Sequence, residues 1–139
     1  MSVEGNKTRV RQIYEAISKG DLMALDHLLT ADFVDHNPDP GQAPGLEGVK
    51  QGFTMFRTAF PDFQITLEDM IAEGDKVATR VTGRGTHKGE FQGIPPTGKQ
   101  VTVTGIDIIR CAGGKCVERW GAFDNLGMMQ QLGVVPPSG

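Results

Sequence analysis

Asp124 is the residue whose place in the sequence most suggests chemistry. It follows residues 115–123, a predicted late β-strand that carries the only tryptophan, Trp120. An unbroken strand puts residues four apart on the same face. Aspartate in water has a pKa of about 3.9 and is a weak base, but burial in an apolar pocket raises the pKa of a carboxyl. We therefore interpret Asp124 as a candidate general acid/base walled by Trp120; alternatively, it only caps a helix beginning at Asn125.

Asp107 is a second candidate carboxyl. It lies on the predicted strand 100–111 with the same parity as Val101, Val103 and Ile109. If that face is the inner one, Asp107 points into the pocket and pairs with Asp124, and two close carboxylates push their pKa values apart. The alternative is that this face is outward, or that Asp107 lies at a strand edge.

Two histidines are candidates for contact with a substrate. His36 follows a short apolar stretch and precedes a proline-rich loop, where it could hydrogen-bond a carbonyl or orient Asp124. His87 lies in the glycine-rich connection 85–99, and its alternative is a solvent-facing turn residue. A lone histidine is more often structural than functional. The three histidines show no metal-binding spacing, so we expect no metal.

Aromatic side chains supply the candidate walls of the pocket. They form either the core or the lining of a cavity, since apolar lining is typical of small-molecule pockets. Tyr14, the only tyrosine, could donate a hydrogen bond to an enolate. The phenylalanines considered as substrate contacts are Phe33, Phe53, Phe56, Phe60 and Phe91.

Periodicity predicts helices first and strands afterwards. Apolar spacing indicates helices over 8–19, 22–29, 46–59 and 125–132, and strands over 64–71, 76–85, 100–111 and 116–123. Phe33-Val34 is either a short strand or the end of a turn. This order predicts an α+β fold, with the helices packed on one face of a curved sheet. We expect a single domain over 1–139, with 1–7 and 134–139 frayed.

Composition excludes some classes of function. With 14 basic and 17 acidic residues and no basic cluster, a nucleic-acid interface is not expected. No apolar run approaches the ~20 residues of a membrane span, and residues 1–7 lack the apolar core of a signal peptide. We therefore expect a cytoplasmic protein. A turn at Gly113-Gly114 would place Cys111 opposite Cys116, as two free thiols in a reducing cytosol or as a disulfide.

Several motifs, in this order along the chain, resemble one family. They are Phe33-Val34-Asp35-His36, Ala59-Phe60-Pro61-Asp62, Gly85-Thr86-His87, Gly93-Ile94-Pro95-Pro96-Thr97-Gly98-Lys99, Gly114-Lys115, Glu118-Arg119-Trp120, Asp124 and Gln130-Gln131-Leu132-Gly133. These motifs, together with the position of the helices before the strands, resemble the SnoaL-like polyketide cyclases. This family is also called the ester cyclases and belongs to the nuclear transport factor 2-like superfamily. The resemblance covers residues 10–133.

The resemblance implies a cone-shaped α+β barrel, a strongly curved mixed or antiparallel sheet around a pocket. It implies intramolecular aldol ring closure of an apolar or polyketide-like molecule, without metal or organic cofactor. The family's acid/base aspartate, at the end of the late strand, matches Asp124. The superfamily also implies a homodimer through the open face of the sheet.

Other functions stay open on this fold. Epoxide hydrolysis needs two acids and an arginine, which Asp124, Asp107 and either Arg80 or Arg110 could supply. Proton-transfer isomerisation could use Tyr14. A non-catalytic protein that binds an apolar metabolite is the third alternative.

Overall fold

Most of the helical segments lie in the N-terminal half of the chain. The computed structural model describes residues 2–135. Its helical segments are α1 (Val3–Lys19), a 3₁₀ turn (Leu22–Ala24), α2 (Leu25–Leu28), α3 (Gly45–Ala59) and α4 (Asn125–Leu132). Helix α1 begins five residues before the predicted position because the Ser2 hydroxyl accepts a hydrogen bond from the Gly5 backbone N–H at 3.0 Å. Residues 3–7 are therefore helical rather than frayed. Of the predicted frayed C-terminal stretch, 136–139 lie outside the described residues.

The strands among residues 2–135 form one five-stranded sheet, which confirms the predicted α+β class. Its strands are β1 (Leu29–Asp35), β2 (Gln64–Glu73), β3 (Lys76–Thr86), β4 (Gln100–Ala112) and β5 (Lys115–Phe123). Their spatial order is β1-β5-β4-β3-β2. Strand β1 pairs parallel to β5, and the other neighbours are antiparallel. The stretch around Phe33-Val34, left open by the sequence, is thus an edge strand beside β5.

The inner face of the sheet carries the core. Burial alternates strictly along β4, where the odd-numbered residues Val101, Val103, Asp107 and Ile109 are buried and their even-numbered neighbours are exposed or half-buried. Helix α1 packs across β2, α3 packs on β1 and α4 packs on β4. Of the two orientations that the sequence left open for Asp107, the structure shows the inward one.

Strand β5 contains an irregularity that decides which side chains face inward. Cys111 pairs with Cys116 while Arg110 pairs with Glu118, so Val117 is an extra residue between the two pairs. Because side chains alternate along a strand, the extra residue reverses the parity. Beyond it, the odd-numbered residues of β5 face the core side and Trp120 does not.

The two cysteines lie opposite each other, as the Gly-Gly turn predicted. Both are buried free thiols, and their Sγ atoms are 3.1 Å apart.

Candidate active site

A largely apolar cavity of about 500 Å³ lies between the inner face of the sheet and helices α1 and α3. This volume is within the ~300–1,000 Å³ range of small-molecule sites. The loop after β1 and the turn at Phe91-Gln92 border it. Its aromatic lining is Tyr14, Phe33, Phe53, Phe56, Phe63, Phe91 and Phe123. These walls suit an apolar ligand of moderate size.

Two carboxylates and one guanidinium line this cavity together. Arg119 donates from Nε to Asp107 Oδ1 at 2.8 Å and from Nη1 to Asp35 Oδ1 at 2.9 Å. The three side chains come from β4, β5 and β1, and their exposed fractions are 4% for Asp107, 18% for Arg119 and 12% for Asp35. We call these three residues the acid–arginine cluster. Its charged groups are held by one another inside a mostly apolar enclosure.

Tyr14 extends the cluster towards helix α1. Its hydroxyl donates to Asp107 Oδ2 at 2.7 Å and lies 2.7 Å from Thr79 Oγ1. Because the hydroxyl has one proton, Thr79 donates to Tyr14 and Tyr14 donates to Asp107. Burial first, and then the Asp107 carboxylate, raise the pKa of Tyr14. Tyr14 therefore remains a neutral donor at physiological pH.

Arg119 keeps one donor free for a ligand. Nη1 contacts Asp35 and the Asn37 carbonyl, and Nε contacts Asp107, whereas Nη2 has no hydrogen-bond partner among residues 2–135. Burial disfavours the charge, but Asp107 and then Asp35 outweigh it and raise the pKa of Arg119. The free Nη2 is thus a permanent cationic donor.

Gly121 provides the space in which the cluster forms. It is paired with Asp107 across β4 and β5, and a Cβ at this position would clash with Asp107 Oδ1 and Arg119 Nη2. The Gly121 N–H donates to Asn37 Oδ1 at 3.0 Å, which fixes the end of β5 to the chain after β1. A glycine here is required by close approach, not by an unusual φ.

A third aspartate, Asp39, lies at the mouth of the cavity on the loop after β1. Its carboxylate accepts no hydrogen bond from the described residues. Partial removal from water raises its pKa, Arg119 opposes this rise, and Asp35 adds to it. Sequence reasoning treated this loop only as a proline-rich connection and did not consider Asp39.

Asp124 does not lie where the sequence argument placed it. It is exposed, it does not line the cavity, and its Oδ1 accepts the Gly127 N–H at 2.9 Å as the N-cap of α4. The expectation of a buried Asp124 that pairs with Asp107 is wrong. Asp124 has the same parity as Trp120, and the extra residue in β5 turns that parity to the outer face of the sheet, although the Asp124 N–H still donates to the Thr104 carbonyl of β4 at 3.0 Å. The capping alternative is confirmed.

Trp120 and His36 meet on the other side of the sheet. Their rings stack at 4.7 Å, and His36 Nε2 lies 2.7 Å from Glu118 Oε2. Neither residue lines the cavity, so the predictions of Trp120 as a pocket wall and of His36 as a partner of Asp124 are wrong. Trp120 faces outward because the extra residue in β5 reverses the parity of that strand. His36 faces outward because it follows the inward-facing Asp35 and side chains alternate along β1.

His87 and Phe60 belong to the core and not to the cavity lining. Both are completely buried, and their rings stack at 5.3 Å. His87 Nδ1 accepts the Thr97 N–H at 3.2 Å, which also contradicts the solvent-facing alternative. Five of the expected substrate contacts line the cavity wall, and their contact with a substrate stays a prediction: Tyr14, Phe33, Phe53, Phe56 and Phe91.

The arginine of the site is neither of the two that the sequence suggested. Arg80 pairs with Asp69 in solvent, and Arg110 pairs with Glu118 away from the cavity. Arg119 and Asp35 were missed as site residues. The available signal was the inward position of Phe33, since Asp35 is two residues later on the same strand.

Among residues 2–135, no group of three or more His, Cys, Asp or Glu side chains is arranged to hold a metal ion. Over the same range, no helix has both the length and the apolar character needed to cross a bilayer.

Comparison with known proteins assigns the family. The model of the SnoaL-like polyketide cyclase family matches residues 8–132. The chain belongs to this family. This SnoaL-like protein is 30% identical over 131 residues to aklanonic acid methyl ester cyclase DnrD of Streptomyces peucetius. The match covers 89% of this chain and 88% of DnrD.

Solved structures agree with this assignment. TsrD of Streptomyces laurentii superposes with a TM-score of 0.89 at 30% identity, over 97% of this chain and 99% of TsrD. IdmH of Streptomyces antibioticus, a candidate polyketide cyclase, gives a TM-score of 0.81 at 38% identity, over 93% of this chain and 99% of IdmH. The SnoaL-like chain therefore has the fold of a cyclase family.

Proposed function

We propose that this SnoaL-like protein closes a ring in a polyketide-like small molecule by intramolecular aldol addition, with Asp107 as the general base. The observation that carries the proposal is the position of Asp107. It is a buried carboxylate that lines an apolar cavity, beside a cationic donor with a free N–H. The family supports ring closure, and the geometry supports the choice of aspartate.

Each residue of the cluster has a role in this scheme. Asp107 takes a proton from a carbon between two carbonyl groups, and the resulting enolate carbon attacks a ketone of the same molecule. The ketone oxygen becomes an alkoxide, which Arg119 Nη2 stabilises as charge develops. Tyr14 and Arg119 fix the orientation of the base, and the aromatic walls exclude water.

Turnover of a cyclase substrate by an isosteric variant tests this role. The probe is aklanonic acid methyl ester, the compound in the name of DnrD, and the product is an isomer of the same mass that chromatography separates. Asp107→Asn should lower kcat by about 10²–10⁴-fold, the usual contribution of general base catalysis. Asp32→Asn, an exposed aspartate on β1 outside the cavity, is the matched control and should leave kcat unchanged.

Two outcomes would contradict the proposal. A folded Asp107→Asn variant with wild-type turnover excludes Asp107 as the base. Tight binding of the probe by the wild-type protein without any ring closure would favour the alternative of a non-catalytic binding protein.

Epoxide hydrolysis is the second candidate, because the acid–arginine cluster itself favours it. Two carboxylates bridged by one arginine are the residue types that activate a water and protonate an epoxide oxygen. In that reaction water adds across the C–O bond and gives a diol. Incubation in ¹⁸O-labelled water separates the candidates, since a hydrolase places one labelled oxygen in its product and an aldol cyclase places none.

A homodimer through the outer face of the sheet is also proposed. Ile106 and Ile108 of the central strand β4 are 58% and 39% exposed, and Ile108 pairs with Trp120 on β5. Such an apolar patch on a sheet is typical of an interface. Light scattering should give twice the chain mass of 15.0 kDa; a monomer mass at micromolar concentration would reject the dimer.

The cytoplasm remains the proposed compartment. The unbridged Cys111 and Cys116, with their Sγ atoms 3.1 Å apart, fit a reducing environment. Trapping free thiols during cell lysis should label both cysteines after unfolding; a recovered disulfide would contradict the assignment.

A further inference from the structure

Asp39 differs from the other two aspartates that line the cavity. Asp107 accepts two hydrogen bonds and Asp35 accepts three, whereas the Asp39 carboxylate accepts none from residues 2–135. We infer that Asp39 is a second catalytic residue, the general acid that protonates the alkoxide formed on ring closure. This inference rests on the proposed function of the site, and it assigns proton delivery to a different residue from proton removal.

The loop holds Asp39 in a defined place at the cavity mouth. The Asp39 N–H donates to Gln42 Oε1 at 3.2 Å, and the Gln42 N–H donates to the Asp39 carbonyl at 3.0 Å. The same Gln42 side chain donates from Nε2 to Asp35 Oδ2 at 3.3 Å. Gln42 therefore ties the backbone of Asp39 to the acid–arginine cluster, while the Asp39 side chain stays free. A free carboxyl on a tethered loop can contact substrate.

The charges around the two carboxylates separate their tasks. Asp107 is bonded directly to the Arg119 guanidinium. The charged groups that act on Asp39 are Arg119 from β5 and Asp35 from β1, and partial loss of water together with Asp35 raises its pKa. A raised pKa suits Asp39 to hold the proton that a general acid must deliver.

The proton balance of the scheme closes over one turnover. Asp107 carboxylate breaks a C–H bond and becomes a carboxylic acid, and the enolate carbon forms the new C–C bond as the ketone π bond breaks. Asp39 carboxylic acid then gives its proton to the alkoxide. On product release Asp107 loses its proton to water and Asp39, at the open mouth, takes one. The substrate gains and loses no atoms, so the net change is an isomerisation.

The pH dependence of turnover distinguishes this role from a structural one. With aklanonic acid methyl ester as the probe, wild-type kcat should fall as the pH rises through the pKa of Asp39, because the acid form is the active one. Asp39→Asn should lower kcat by about 100-fold or more with little change in KM. The remaining rate should not show the fall of kcat with rising pH, which we call the pH limb. Asp32→Asn is the control, and it should keep both the rate and the limb.

A second measurement does not depend on turnover. Carboxyl-detected NMR of ¹³C-aspartate protein should show one carboxyl that titrates above the ordinary pKa of aspartate and is missing in Asp39→Asn. Gln42→Leu, which loosens the loop, should lower kcat but keep the pH limb.

The outcomes separate the two proposals. If Asp107→Asn is inactive while Asp39→Asn keeps wild-type kcat and its pH limb, the role of Asp39 is refuted and the proposed function stands. If no such carboxyl titrates, the role of Asp39 is also refuted. If the wild-type protein closes no ring, both proposals are refuted.

Discussion

Replacement of Arg119 by methionine tests the energetics of the acid–arginine cluster. Methionine keeps most of the length of the side chain and removes its charge. Asp107 and Asp35 then lose their cation, although Tyr14 still donates to Asp107 and Gln42 still donates to Asp35. The variant therefore leaves two carboxylates in a site where their side chains are 4% and 12% exposed.

The structure sets the size of the expected effect. Removing one partner of a buried ion pair costs about 3–5 kcal/mol, because the other charge is left without compensation. The remaining hydrogen bonds and the adjoining cavity, which can admit water, favour the lower end, so we expect about 3 kcal/mol. The matched control is Arg80→Met, whose pair with Asp69 is 55% and 67% exposed. An exposed pair contributes at most about 1 kcal/mol.

Urea unfolding followed by circular dichroism measures both free energies near neutral pH. The deficit of Arg119→Met relative to wild type should shrink at acidic pH, since a carboxylate that has lost its cation can take a proton and become neutral. Equal destabilisation by Arg119→Met and Arg80→Met would refute the reasoning, because the buried cluster would then contribute no more to the free energy of unfolding than a surface pair does.

Three further predictions concern single residues outside the acid–arginine cluster. Gly121→Ala should destabilise the fold by about 1–3 kcal/mol and lower kcat, because its Cβ displaces the acid–arginine cluster; a wild-type kcat would contradict the close approach. Asp124→Ala should cost about 1 kcal/mol in urea unfolding through the lost helix cap, with kcat unchanged, and a large loss of kcat would instead restore its catalytic role. Asp62 accepts the Thr86 N–H and hydroxyl, each at 2.7 Å, and these bonds lower its pKa. Its contribution to stability is therefore present above the ordinary carboxyl pKa and lost as the pH falls through the lowered one. Asp62→Asn should flatten that acid limb of the unfolding free energy, and an unchanged limb would show that other groups cause it.

Much of the secondary structure was predictable because local patterns encode it, although the predicted helix 22–29 is a 3₁₀ turn followed by the four-residue helix α2, and Leu29 already belongs to β1. Helix α3 and helix α4 begin and end within one residue of the expected positions, and β3 and β4 show the alternation that the sequence suggested. Counting every second residue placed Asp107 on the same face of β4 as Val101, Val103 and Ile109, and the structure shows that this face is the inner one. The partner of β1 was not predictable, since a parallel pair with β5 joins segments that lie far apart in the chain.

The choice of the wrong acid has one physical cause. Counting every second residue back from Asp124 selected Trp120 for the pocket, and the two do share a parity. Cys116, an even-numbered residue, is buried. Because Val117 is an extra residue in the strand, the even-numbered residues after it, including Trp120, face outward instead. A β-bulge of this kind has little signature in a single sequence. The assignment of the inner face of β5 was therefore beyond what alternation alone could give.

Arg119 could have been found from its neighbours. A buried aspartate needs a cation or several donors, so the inward position of Asp107 already called for a partner. Gly121 lies directly opposite Asp107 and offers no side chain, which leaves space that a long side chain two residues away on the same face can fill. Arg119 is the cation at that spacing. The pairing of an inward acid with a facing glycine thus predicts the arginine, once the register of β4 and β5 is known.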